Sequence, residues 1–265
     1  MTLVRSGILF GALVCFGLAC DLQGTGGEVV EVSWSVHSTL SEGRTIQIDD
    51  WSVELDEARI ALGPVYAFAP PPFASMWQLF GPSRALAHAG DDNTNGVRVI
   101  AELLDQRPVD LMAGGGVEFP LTLAEGGTVD FLNIVFDEPR FQEVRDAFGS
   151  SHAIVSGTAT RGEDSFRFQA ALDSTIPDGV IGRRVEGLPA FGELEEGTRI
   201  SITVDALSWV RSVRFEALFE DAVSNGLSAE DVLVVEEPSQ FHNAWYLNLR
   251  DPRNWTVDIE SPEAI

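Results

Sequence analysis

The chain contains no lysine: all 17 basic residues are arginine, set against 41 acidic residues, for a formal charge of -24. With so few cations there is no basic patch to neutralise a phosphate backbone, which excludes nucleic-acid binding and disfavours anionic lipid headgroups. Cysteine is as scarce. The only two, Cys15 and Cys20, fall within the first twenty residues, so the rest of the chain has no disulfide, no thiolate nucleophile and no thiolate metal site. The apolar run Ile8–Leu18 is far short of the roughly 20 residues a spanning helix needs. No convincing fixed-period repeat is present, which disfavours solenoids and propellers.

What is present is a large apolar fraction. Hydrophobic residues make up 45% of 265, enough for a sizeable core in one large β domain or two small ones. The acidic surface around it is of the kind that attracts cations and stays soluble in salt.

At the N-terminus, Arg5 precedes the Ile8–Leu18 run, which ends in Gly17-Leu18-Ala19-Cys20-Asp21. A short basic start, an apolar run and small residues at a cleavage point read as an export signal over 1–19. Leu18-Ala19-Cys20 resembles the lipobox of bacterial lipoproteins. That resemblance implies a lipid on Cys20, which becomes the mature first residue, and a membrane-anchored protein of the cell envelope facing the periplasm or the cell surface. Gly17 stands where that family usually has an aliphatic residue, and Gly17-x-Ala19 also suits ordinary cleavage after Ala19, so a secreted chain is the alternative. Residues 20–27 then form a Gly-rich tether.

From Glu28 onward the pattern is that of strands. Val30, Val32, Trp34 and Val36 alternate with polar residues, and Ile46/Ile48 and Trp51–Phe68 continue the β character, broken at Gly63-Pro64. Further strands are expected at Val117–Leu123 and Thr128–Phe136. Ala153–Thr160 with Phe166–Leu172 should form one hairpin, and Val185–Phe191 with Arg199–Leu207 another. Helices are expected at Phe73–Ala89 (cut by Gly81-Pro82), Arg140–Phe148 and Trp209–Ala222, with Ser228 capping a further start and Ala101–Leu104 a short helix at best. The C-terminal stretch Phe241–Val257 ends in a strand around Trp255. Strands about every ten residues, punctuated by Gly and Pro, predict a mainly β, antiparallel β-sandwich with a few short helices and a long insertion around residues 70–107. It occupies 28–265 as one domain; a two-lobe split near Gly149 is the alternative.

One stretch has the full grammar of a binding site. Asp91, Asn93, Asn95, Gly96 and Glu102 follow the D-x-N-x-N-G-x5-E spacing of a calcium loop, with Val97 offering a carbonyl at the seventh position. Arg98 stands where a paired helix–loop–helix protein has an aliphatic residue, no second copy exists and the flanking helices are weak. The stretch is therefore a candidate for a solitary calcium or other divalent-cation site, with a polar surface turn that matches by composition as the alternative. The four histidines, His37, His88, His152 and His242, show no ligand spacing, although a sandwich can gather distant residues into a copper site.

The exported start, the Trp51–Tyr66 segment and the stretch Val185–Trp209 with its GTRISITVDALSW run together resemble in layout the MbnP-like group of exported copper-binding β proteins. The resemblance implies copper held through histidines, with Trp34 and His37 echoing tryptophan-plus-histidine chemistry. Catalytic grammar is thin. Gly149-Ser150-Ser151-His152-Ala153 lacks the final glycine of a nucleophile elbow, Gly114-Gly115-Gly116 lacks phosphate-loop spacing, and no carboxylate pair stands out in so acidic a chain. The leading expectation is a non-enzymatic envelope lipoprotein, a binding or structural module of unknown partner. A copper handler is second and an envelope hydrolase a distant third.

Overall fold

A computed structural model describes residues 27–40, 45–70, 97–173 and 183–262. The expected export signal 1–19, Cys20, the expected helix 73–89, His88, Asp91, Asn93 and Asn95 lie outside these residues. The fold is a mainly β, sandwich-like pair of packed sheets with short helices. Its first half contains β1 (Val29–Ser38), β2 (Thr45–Ile48), β3 (Trp51–Leu62), β4 (Val65–Phe68), β5 (Val99–Leu103), β6 (Arg107–Asp110), β7 (Val117–Glu118), β8 (Thr122–Glu125) and β9 (Gly127–Phe136). After α1 (Gln142–Phe148) come β10 (Ser151–Arg161), β11 (Asp164–Asp173), β12 (Arg183–Leu194), β13 (Thr198–Val204), α2 (Phe215–Ser224), β14 (Val232–Val235), α3 (Gln240–Leu249) and β15 (Trp255–Glu260).

One sheet runs β12-β9-β4-β5-β8-β1-β13-β15, with β7 also on β1. The other runs β14-β11-β10-β3-β2, with β6 also on β3. Each sheet joins strands from before and after Gly149. Most pairs are antiparallel, while β1–β13 and β11–β14 are parallel.

The alternation in β1 places Val30, Val32, Trp34 and Val36 in the core, as period two requires of a half-buried strand. Trp34 adds a hydrogen bond from its indole N–H to Thr122 Oγ1 at 2.7 Å. Fully buried Trp209, Trp245, Phe136, Phe168, Phe215 and Phe241 belong to one core cluster, to which both sheets and the helices contribute. Each is worth about 1.5–3 kcal/mol of burial. The chain changes sheet at Gly63-Pro64, a cis peptide. Gly63 has φ +115, and a Cβ there would sit 2.2 Å from the Asp105 carbonyl oxygen, so glycine is required on both counts.

Several local expectations are corrected. Ala101–Leu104 is not helical, because Val99–Leu103 is a strand paired with β4, Glu102 opposite Tyr66. The segment expected as an insertion thus rejoins the sheet by Val99. The turn Glu195–Gly197 does not close a hairpin: β12 pairs with β9, whereas β13 pairs with β1 and β15. The turn is instead captured by β1, whose Glu31 carbonyl accepts from Gly197 N–H and whose Glu31 N–H donates to the Glu196 carboxylate. Trp209–Ala222 is divided into a 3-10 helix, Ala206–Val210, started by the Asp205 carboxylate, and α2. Ser228 caps no helix: its N–H and hydroxyl both bond to Asp231, and β14 follows. α3 is the helix that the pattern reading left out.

Candidate functional site

The described histidines occupy three different environments. On β1, Trp34 points inward and His37, three residues on, lies on the opposite, polar face, since an odd separation on a strand changes sides. A joint Trp34–His37 site is therefore not formed. His37 Nε2 lies 3.0 Å from Ser35 Oγ, which in turn lies 3.0 Å from Ser201 Oγ. Gly116 packs directly on the imidazole; a Cβ at that position would fall 2.3 Å from its ring.

His242 sits in the first turn of α3, where Ser239 is the cap. Ser239 Oγ accepts from the His242 backbone N–H at 3.3 Å and lies 2.8 Å from Nδ1. Nε2 lies 3.0 Å from the Ala171 carbonyl oxygen. A carbonyl can only accept, so Nε2 carries the proton and Nδ1 accepts from the serine hydroxyl. Both ring nitrogens are committed. Burial lowers the His242 pKa, opposed by the bond to Ala171 and the charge of Glu237.

His152 is deeper still. The β10–β11 register slips between Ser151 and Ala153, and this bulge turns the ring into the space between the sheets. There it stacks on Phe136 with centroids 5.1 Å apart and planes at 12°. It is fully buried, and neither ring nitrogen has a hydrogen-bond partner among the described residues. Burial, reinforced by the positive charge of Arg183 and opposed by the Asp173 backbone, pushes its pKa down to about 3. At neutral pH it is an uncharged aromatic plate.

Arg183, at the start of β12, links the two buried histidines electrostatically. Its side chain is 7% exposed and pairs with Glu237. The guanidinium lies over Tyr246 of α3, 5.1 Å from the ring centroid. Glu237 also accepts from the Asp173 N–H at 3.3 Å, and Asp173 Oδ1 accepts from Ser150 and Ser151 hydroxyls at 3.2 and 3.0 Å. The ends of β10, β11 and β12 and the start of α3 are thereby tied into one polar junction. Sequence spacing could not reveal it, because its members are separated by up to about ninety residues and meet only through the sheet register.

The described part of the calcium-loop motif is a strand entrance. In extended chain at about 3.3 Å per residue, Val99 and Glu102 of β5 stand roughly 10 Å apart by Cα, and Val97 precedes the strand by two residues. A single calcium ion needs all its oxygens within about 2.6 Å. Strand β5 holds Glu102 in extended, sheet-paired chain, while Asp91, Asn93 and Asn95 lie outside the described residues. Glu102 instead faces Tyr66, whose hydroxyl pKa is raised by burial and then by the glutamate's charge. Among the described residues, no group of three or more His, Cys, Asp or Glu is arranged to hold a metal.

A small pocket opens at the bulge of β3, where Asp56 is the extra residue opposite Ser156 and Gly157. Its volume is about 190 Å³, and Glu57, Arg167, Phe168, Gln169 and Val232 complete its lining. This is below the roughly 300 Å³ at which small-molecule sites begin.

The chain matches no family model, no curated protein and no solved structure.

Proposed function

We propose that this chain is a non-enzymatic lipoprotein of the bacterial envelope, anchored through Cys20 and displaying an acidic β-sandwich as a binding or structural module. The observation that carries the reading is the juxtaposition of Leu18-Ala19-Cys20-Asp21 with a folded body that begins at Val29 in β1, between β8 and β13 of the larger sheet. The body follows the anchor after the Gly-rich tether of residues 20–27. Its most perturbed groups support a structural rather than a catalytic role. His242 has both nitrogens committed, and His152 is held neutral against Phe136. A general acid or base needs a pKa near the working pH and a proton path to substrate; a buried imidazole at about 3 has neither.

Metabolic labelling with a palmitate analogue tests the anchor. Incorporation that disappears in Cys20→Ser is expected, and labelling that persists in the variant would refute it.

A further inference from the structure

We infer that the outward face of β8 and the start of β1 lies on the bilayer, as a small apolar foot beside the anchor. The inference rests on lipidation at Cys20. Three large hydrophobic side chains stand open there: Val29 at 66%, Leu121 at 63% and Leu123 at 67% exposure. The register makes the grouping: Val29 pairs with Glu125 and Glu31 with Leu123, so Val29 and Leu123 are diagonal neighbours on one face, within reach of each other. Leu121 and Leu123 alternate with half-buried Thr122 and buried Ala124, which places both leucines away from the core.

The tether identifies the occupant. Val29 is both a member of the patch and the point where the chain enters the fold, nine residues after Cys20. Nine residues reach at most about 32 Å, so the lipid holds this face near the membrane at high effective concentration. Three side chains are too few for a stable protein interface, which buries about 1,200 Å² or more in total. They suffice for a contact that the anchor already enforces. Glu125 and Glu31, the direct partners of Val29 and Leu123, stand on the same face between the apolar side chains, with Glu28 nearby and Arg98 paired to Glu125 as the neighbouring cation. This excess of acid favours a zwitterionic surface and is repelled by anionic headgroups.

Docking can be measured whatever the fate of Cys20 in the cell. The mature chain, beginning at Cys20, is coupled through that thiol to a maleimide phospholipid in phosphatidylcholine vesicles containing a photoactivatable phosphatidylcholine, and adducts are mapped by mass spectrometry. Adducts on Val29 and Leu121–Leu123 are expected at least fivefold above those on Val234 and Leu247, which are exposed elsewhere. They should fall severalfold in Leu121→Ser/Leu123→Ser and when phosphatidylglycerol is added at low salt. Even labelling, labelling centred on another face, or cross-links between copies through this patch would overturn the inference. Failure of lipidation in cells leaves this readout intact and counts against the anchor alone.

Discussion

His152 lies flat on Phe136, with ring centroids 5.1 Å apart and planes 12° from parallel, in the space between the two sheets. An imidazole so placed behaves as a core aromatic while it is neutral, and protonation there puts an unpaired charge in the core.

The pH dependence of stability follows from that burial. The folded pKa is about 3 and the unfolded value about 6.5, so between these values the unfolded chain binds the extra proton. Stability should therefore fall as pH drops below about 6.5, by up to roughly 1.4 kcal/mol per pH unit from this group, and level off near pH 3. His242, also lowered by burial, adds in the same direction. In His152→Phe the acid-side slope should be shallower than in the parent. Urea unfolding at pH 4, 5 and 7.5 measures the difference between the two chains, which cancels the contribution of the carboxylates. Parallel pH profiles would contradict the buried, neutral assignment.

The Arg183–Glu237 pair should behave as a partly buried ion pair. Removing one partner, as in Glu237→Gln, leaves the guanidinium poorly compensated and should cost about 2–3 kcal/mol. Arg183→Met with Glu237→Met should recover most of that loss, because Tyr246 and the buried stem still provide packing. A double-mutant cycle by chemical denaturation gives the coupling, and strictly additive losses would show that the two do not act together.

Gly157 is fixed by space. A Cβ there would meet the Glu54 carbonyl oxygen at 2.3 Å and the Phe168 ring at 3.0 Å. Gly157→Ala is expected to destabilise by about 1–3 kcal/mol through forced backbone shifts. Gly115→Ala, with nothing within 4 Å of the new atom, should be close to neutral. Thermal melts of both variants check the contrast.

Much of the fold was legible because its strands obey local rules. The clean alternation of Val30, Val32, Trp34 and Val36 led directly to β1, and the Arg161–Asp164 turn to the β10–β11 hairpin. Long-range pairing was not legible. Nothing local tells the turn Glu195–Gly197 that its hydrogen-bond partner is Glu31 rather than the next strand. Helix α3 did leave a trace, in the cap Ser239 followed by Phe241, Trp245 and Leu249 at helical spacing, which an i, i+4, i+8 count would have found. His152 was beyond such counting, since a bulge changes which residues face inward and has no marker in the composition around it. The calcium motif is complete in spacing, and its last position, Glu102, lies on a β-strand beside Tyr66, while Asp91, Asn93 and Asn95 lie outside the described residues.

The calcium motif carries its own test. Because Glu102 is held on β5 opposite Tyr66, millimolar calcium should move the melting temperature by less than about 1 °C, and Glu102→Gln should leave that response unchanged. Any ion bound only to the folded state must raise its stability. A calcium-dependent rise of several degrees that is lost in both Asp91→Ala and Glu102→Gln would mean that the two ends of the loop do converge.

The anchor is tested most directly by the intact mass of the chain recovered from bacterial membranes. A mature protein beginning at Cys20 and carrying a diacylglyceryl group on its sulfur, absent from Cys20→Ser, is the expected result. A soluble chain beginning at an unmodified Cys20, or one retaining residues 1–19, would contradict it.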